Sequence, residues 1–163
     1  PGKPPRRVLD MGCGSAILAI VAHQKWPAAT ITAVDNDPVA IRVAAINRRL
    51  NHIAPTTMHL AMSHGFANQN VRHSAPYDVM FANILPRPLM RMAPDLCPHL
   101  AHRGWLILSG ILNEQAVAVR NAYQARKLRC WHRIRIGEWT TLVMRRTSAG
   151  PIPFLWSGLC QKI

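Results

Sequence analysis

Apolar residues fall into short, nearly unbroken runs, and between most of them lie segments where they recur every three or four positions. Arg7–Met11 is the first run, and 17–26 reads as a helix closed by Pro27. Residues 30–34 form a second strand with Asp35 at its end. Asp37-Pro38 opens a helix over 39–50. An acid at the N-cap followed by Pro marks a helix start, because the carboxylate accepts a free N–H and the ring fixes a helical φ. A weaker third strand spans 56–61, and 62–74 is polar without periodicity. Residues 77–82 are nearly all apolar, as a strand buried on both faces requires. The chain then runs through Asn83-Ile84-Leu85-Pro86 into a helix over 88–100, with Gly104 as its stop. A fifth strand at 105–109 and a helix at 113–127 follow. Leu128–Ile136 and 140–146 are strands joined by Gly137-Glu138-Trp139, close enough to form a hairpin.

Strands alternating with helices predict an α/β fold with a doubly wound, mostly parallel sheet. The hairpin brings the sheet to seven strands and adds an antiparallel edge. Residues 1–6 read as a linker, 7–146 as the domain, and 147–163 as a C-terminal tail.

The stretch Asp10-Met11-Gly12-Cys13-Gly14 joins the first strand to the first helix. Glycines there permit positive φ and let a ligand lie against bare main chain. The helix N-terminus adds unpaired N–H groups and partial positive charge. Asp10 can accept hydrogen bonds from the turn or meet a cationic group. The dinucleotide fingerprint wants Gly or Ala three residues after the second glycine, and Ile17 stands there, which disfavours a nicotinamide oxidoreductase. Asp35 follows Gly12 by 23 positions, close to the spacing at which an acid on the second strand grips a ribose diol. Asp37 serves mainly as the helix cap.

Composition narrows the class. At 163 residues and 49% hydrophobic, the chain can bury a core. No apolar run reaches the ~20 residues of a membrane span, and no signal segment opens the chain. Its start without Met leads us to expect further residues upstream. Cys13, Cys97, Cys130 and Cys160 form no Cys-x-x-Cys pair, so neither zinc nor a disulfide framework is expected, and a reduced cytoplasmic setting fits. His99 and His102 have no obvious partner ligands, and no metal site is expected. The net charge of +13 predicts attraction to polyanions. Only seven acids oppose it, so those at strand ends stand out.

Together the acid-x-Gly-x-Gly turn and the acid after strand two resemble the class I S-adenosylmethionine-dependent methyltransferases. The segments Ala82-Asn83-Ile84-Leu85, Ser109-Gly110-Ile111-Leu112 and Gly137-Glu138-Trp139 resemble more narrowly the catalytic domain of the PrmA-like methyltransferases of ribosomal protein L-eleven. That resemblance implies an S-adenosyl-L-methionine cofactor and N-methylation of lysine or α-amino groups on a large-subunit ribosomal protein. It implies that Gly12 and Gly14 lie against the methionine part, that Asp10 fixes the turn, and that Asp35 holds the ribose. It implies that Asn83 lies beside the transferred methyl and orients the amine, as both catalytic and cofactor-binding residue. The family usually has Gly at the position of Ala16, and no acid follows strand three, where Met62 and Ser63 stand. Its N-terminal recognition domain and the Gly/Thr-rich segment before strand one are not in this sequence.

The rival reading is an RNA methyltransferase, or an RNA-binding domain on the same fold. Arg133 and Arg135 alternate on one strand, with Arg145 and Arg146 on its neighbour, so ribosomal RNA contact through a basic surface is expected under either reading. No aromatic platform for bases is evident in the sequence. A catalytically silent scaffold is the remaining alternative.

Overall fold

A computed structural model describes residues 3–147, so the expected tail lies outside the described residues from 148 on. The strands are β1 (Arg7–Met11), β2 (Thr30–Asp35), β3 (Met58–Met62), β4 (Tyr77–Asn83), β5 (Leu100–Leu112), β6 (Leu128–Ile136) and β7 (Trp139–Arg146). The helices are α1 (Ile17–Lys25), α2 (Pro38–Leu50), α3 (Gln69–His73), α4 (Pro86–His99) and α5 (Ala116–Gln124). One seven-stranded sheet runs β3-β2-β1-β4-β5-β7-β6. The pairs from β3 to β5 are parallel, and β7 is antiparallel to both β5 and β6. This is the expected doubly wound sheet with its antiparallel hairpin.

Helices cover both faces because the central strands are apolar on both. On one side Val8, Ile31 and Ala33 pack with Ala19 and Ile20 of α1 and Ala44 of α2. On the other, Leu9, Met80, Leu106 and Leu108 pack with Leu89 and Leu96 of α4 and Val119 and Tyr123 of α5. Burying a leucine of this kind contributes about 1.5–3 kcal/mol. Tyr123 is wholly buried, and its hydroxyl donates to the Leu89 carbonyl at 2.8 Å, which joins α5 to α4.

The second hairpin strand, β7, enters the sheet next to β5, and the first, β6, becomes the edge. The side chains explain that order. Thr140, Leu142 and Met144 of β7 alternate into the core, whereas β6 carries Arg129, Arg133 and Arg135. Cationic side chains on an edge strand oppose pairing with another chain.

Four segments depart from the sequence reading. The polar stretch after β3 holds α3, whose Asn68 cap accepts from the Asn70 N–H at 2.9 Å. Five residues are too few to show a helical period. Helix α4 begins at Pro86, two residues earlier than expected, with proline in its first turn. Gly104 does not stop a helix: β5 runs through it from Leu100 to Leu112, with Arg103 beside it at φ 64°. Helix α5 ends at Gln124, before Lys127 at φ 64°, and it starts later than 113 because Asn113 is tied to the hairpin. Its N–H donates to the Glu138 carbonyl at 2.9 Å and its Oδ1 accepts from Thr140 Oγ1 at 2.7 Å. No helix among the described residues is long and apolar enough to cross a membrane.

Candidate functional site

The strand order reverses between β1 and β4, so the loops leaving their carboxyl ends diverge and open a crevice, where ligands bind in open α/β sheets. The glycine turn after β1 forms one wall. Gly12 and Cys13 both donate to the Val34 carbonyl, at 2.8 and 2.9 Å, which folds the turn against β2. Gly12 and Gly14 have φ of 72° and 53°, a region that glycine enters without steric cost. A Cβ on Gly12 would collide with Ile84, whereas one on Gly14 would meet nothing within 4 Å, so Gly14 presents open main chain.

The two expected acids do different things. Asp35, half-buried at the end of β2, accepts from the Gly14 N–H through Oδ2 at 2.8 Å and from the Asp37 N–H through Oδ1 at 3.0 Å. Each oxygen keeps a further lone pair for a hydroxyl donor. Asp10 is 1% exposed and accepts from the Ala19 N–H of α1 at 3.0 Å. Burial raises its carboxyl from 3.8 to about 7, against the opposing effect of that N–H, and the Asp35 charge raises it further. Asp10 therefore holds the helix start in place. Burial likewise pushes the Cys13 thiol up to about 12, so it is no nucleophile at neutral pH.

Ala16 precedes α1 at φ 62°, a left-handed conformation that costs a non-glycine residue about 1–2 kcal/mol. Ala16→Gly is expected to raise unfolding stability by up to ~1 kcal/mol, less the unfolded-state entropy that glycine adds. Chemical denaturation reads this directly.

A cleft of about 410 Å³ lies over this edge, lined among others by Gly12, Asp35, Ser63, His64, Ile84 and Leu85. That volume falls within the ~300–1,000 Å³ of small-molecule sites. Ser63 is committed to its own loop: its hydroxyl donates to the Gly65 carbonyl at 2.9 Å and accepts from the Asn68 N–H at 3.0 Å. Asp95 of α4 also lines the cleft, an acid that local sequence reading passed over because it arrives from a distant helix.

Asn83 is exposed at the carboxyl end of β4, in register with Ser109 and just before Ile84 and Leu85. Gly110, at φ 75°, passes so close that a Cβ there would come within 3.0 Å of Asn83 Oδ1. A bare backbone at Gly110 thus leaves room for the Asn83 amide. Gly12 and Asp35 line the cleft, Gly14 is bonded to Asp35, Asn83 stands on the adjoining strand end, and Asp10 is bonded to the first turn of α1 rather than to the glycine turn.

The arginines divide. Arg133 and Arg135 share a face, as alternation requires, but they lie opposite Leu142 and Thr140, on the side that α5 covers. Arg145 occupies the other face. Arg146 is a staple: its guanidinium donates to the carbonyls of Cys97, Pro98 and Leu100 at 3.0, 3.4 and 2.7 Å, where α4 ends. Among the described residues no group of three metal-ligating side chains gathers.

The profile of the family described as Ribosomal protein L11 methyltransferase (PrmA) matches residues 2–147. A ribosomal protein L11 methyltransferase of Mesorhizobium japonicum is 42% identical over 141 residues, covering 86% of this chain and 48% of the relative. One of Agrobacterium fabrum is 43% identical over the same length and the same shares. The solved structure of a ribosomal protein L11 methylase from Lactobacillus delbrueckii subsp. bulgaricus superposes with a TM-score of 0.79 at 31% identity, over 90% of this chain and 72% of that one. The chain spans about half the length of the curated relatives it matches.

Proposed function

The chain belongs to the ribosomal protein L11 methyltransferase family, and from that membership we propose that residues 7–146 form an S-adenosylmethionine-binding domain that methylates amino groups of a large-subunit ribosomal protein. In this reading residues 1–6 are a linker and 147–163 a tail outside the catalytic unit. The observation that carries it is the meeting of Asp35 with the Gly12–Gly14 turn at one edge of a small-molecule cleft.

When bound, S-adenosylmethionine supplies an electrophilic methyl group on a sulfonium. The protein's share is positioning and desolvation. Asp35 accepts both ribose hydroxyls on its spare lone pairs, and the charge on the acceptor makes these bonds strong. Gly12 and Gly14 let the ligand approach the main chain, and Asp10 keeps α1 aimed at it. Asn83 offers a carbonyl oxygen to an N–H of the attacking amine. A neutral amide orients that amine without stabilising its protonated form as a carboxylate would. This matters because a lysine amine, at its unperturbed pKa of ~10.4, is mostly protonated at neutral pH and must lose its proton to attack.

Asn83→Ala is expected to lower methyl transfer to the ribosomal substrate about 10²-fold, the scale of a misplaced reactant. Cofactor affinity should change only a few-fold. Methyl incorporation and calorimetry separate the two effects. For the assignment itself, calorimetric titration with S-adenosylmethionine and with NAD decides. Binding of the former alone supports the reading, and binding of NAD alone overturns it.

A further inference from the structure

We propose that the opposite edge of the sheet carries a second site, a platform for single-stranded RNA. Trp105 of β5 and Trp131 of β6 are 26 residues apart in sequence, yet their rings lie 5.8 Å apart at 85°. Between those strands runs β7, whose Arg145 places its guanidinium 4.5 Å from the Trp105 ring centroid and 5.3 Å from that of Trp131. Arg129 lies 5.6 Å from the Trp131 ring centroid. Register makes the row: Trp105 stands opposite Arg145, and Arg145 opposite Arg129. The register shift between Cys130 and His132 marks a bulge, and bulges re-aim side chains, here Trp131.

Trp131 is 44% exposed, so part of its indole reaches solvent beside the guanidinium groups. The row borders a cleft of about 810 Å³ lined by Lys3, Arg6, Arg103 and Arg145. One lining carboxylate, Asp78, faces these cations, and its Oδ2 is already accepting from the Arg6 and Arg7 N–H groups at 2.7 and 3.0 Å. From Trp105 to the cofactor edge at Ser109 is about 13 Å along β5, at ~3.3 Å per residue. The two sites are thus separate.

Flat aromatic and guanidinium surfaces beside a cluster of cations match a chain of phosphates carrying stackable bases. An acidic peptide would satisfy the cations but leave the indole unused. A duplex keeps its bases stacked inside, so a single strand fits. The net charge of +13 adds long-range attraction. This site stands independently of the methyl-transfer reading.

The test is fluorescence anisotropy of the full chain with a labelled oligouridylate of about 12 nucleotides, within the size that such platforms hold. Binding should quench tryptophan emission and fall with salt, log affinity against log salt dropping by ~0.7 for each phosphate held. Trp131→Ala should weaken RNA about tenfold, as expected for one lost stacking contact, and leave S-adenosylmethionine affinity unchanged, and Trp131→Phe should restore most of the loss. Polyglutamate binding should not respond to Trp131→Ala. Parental RNA affinity in Trp131→Ala, or polyglutamate displacing the RNA as well as unlabelled RNA does, overturns the proposal. RNA binding without cofactor binding, or the reverse, tells the failure of one reading from that of the other.

Discussion

Asp35→Ala is expected to weaken S-adenosylmethionine binding by at least 100-fold. Two hydroxyl hydrogen bonds to a charged acceptor contribute about 1.5–3 kcal/mol each, so losing both removes ~3 kcal/mol or more. The change also strips the Gly14 N–H of its acceptor, which loosens the turn that lies against the ligand. Isothermal titration measures the loss, and a drop of less than threefold would remove Asp35 from the ribose role. Denaturant unfolding of the same variant should show a smaller effect, near ~1 kcal/mol, because only backbone N–H partners are lost. The contrast between a large binding loss and a small stability loss identifies a ligand-facing acid.

Asp10 should show the converse. Its carboxyl titrates near 7 in the fold against 3.8 ordinarily, because it is buried. Between those values the unfolded chain has released the proton and the folded chain still holds it. Stability therefore falls as pH rises through this window, at about 1.36 kcal/mol per unit, and stays low above 7. Over the three-unit window this amounts to ~4 kcal/mol. Asp10→Asn keeps an oxygen for the Ala19 N–H and carries no charge. The variant should unfold at a higher temperature than the parent at pH 8 and at an equal or lower one at pH 4. Equal pH dependence in the two proteins would show that Asp10 is not the titrating group.

These two acids show how far the sequence reaches. Both stand at strand ends beside the glycine turn, and the spacing marked both. Their opposite roles depend on burial, which neighbouring strands and α1 create. The same holds for the arginines. Alternation put Arg133 and Arg135 on one face, but register across β7 decided that it is the face on which α5 packs, with Arg133 partly buried and Arg135 exposed. Asp95 and the meeting of Trp105 with Trp131 could not be read from the sequence, since each depends on elements far apart along the chain.

By itself the sequence determined the strands β1, β2 and β4, the glycine turn, the Asp37 cap and the α/β class. Those features follow from sterics and hydrogen bonding within a few residues, where glycine, proline, capping acids and apolar periods act directly. Tertiary structure alone decided that β7 lies inside β6, that β5 runs on through Gly104, and that a tryptophan–arginine row forms at the amino edge. These outcomes are set by which apolar faces find burial against one another across the sheet, and no local window of residues contains both partners.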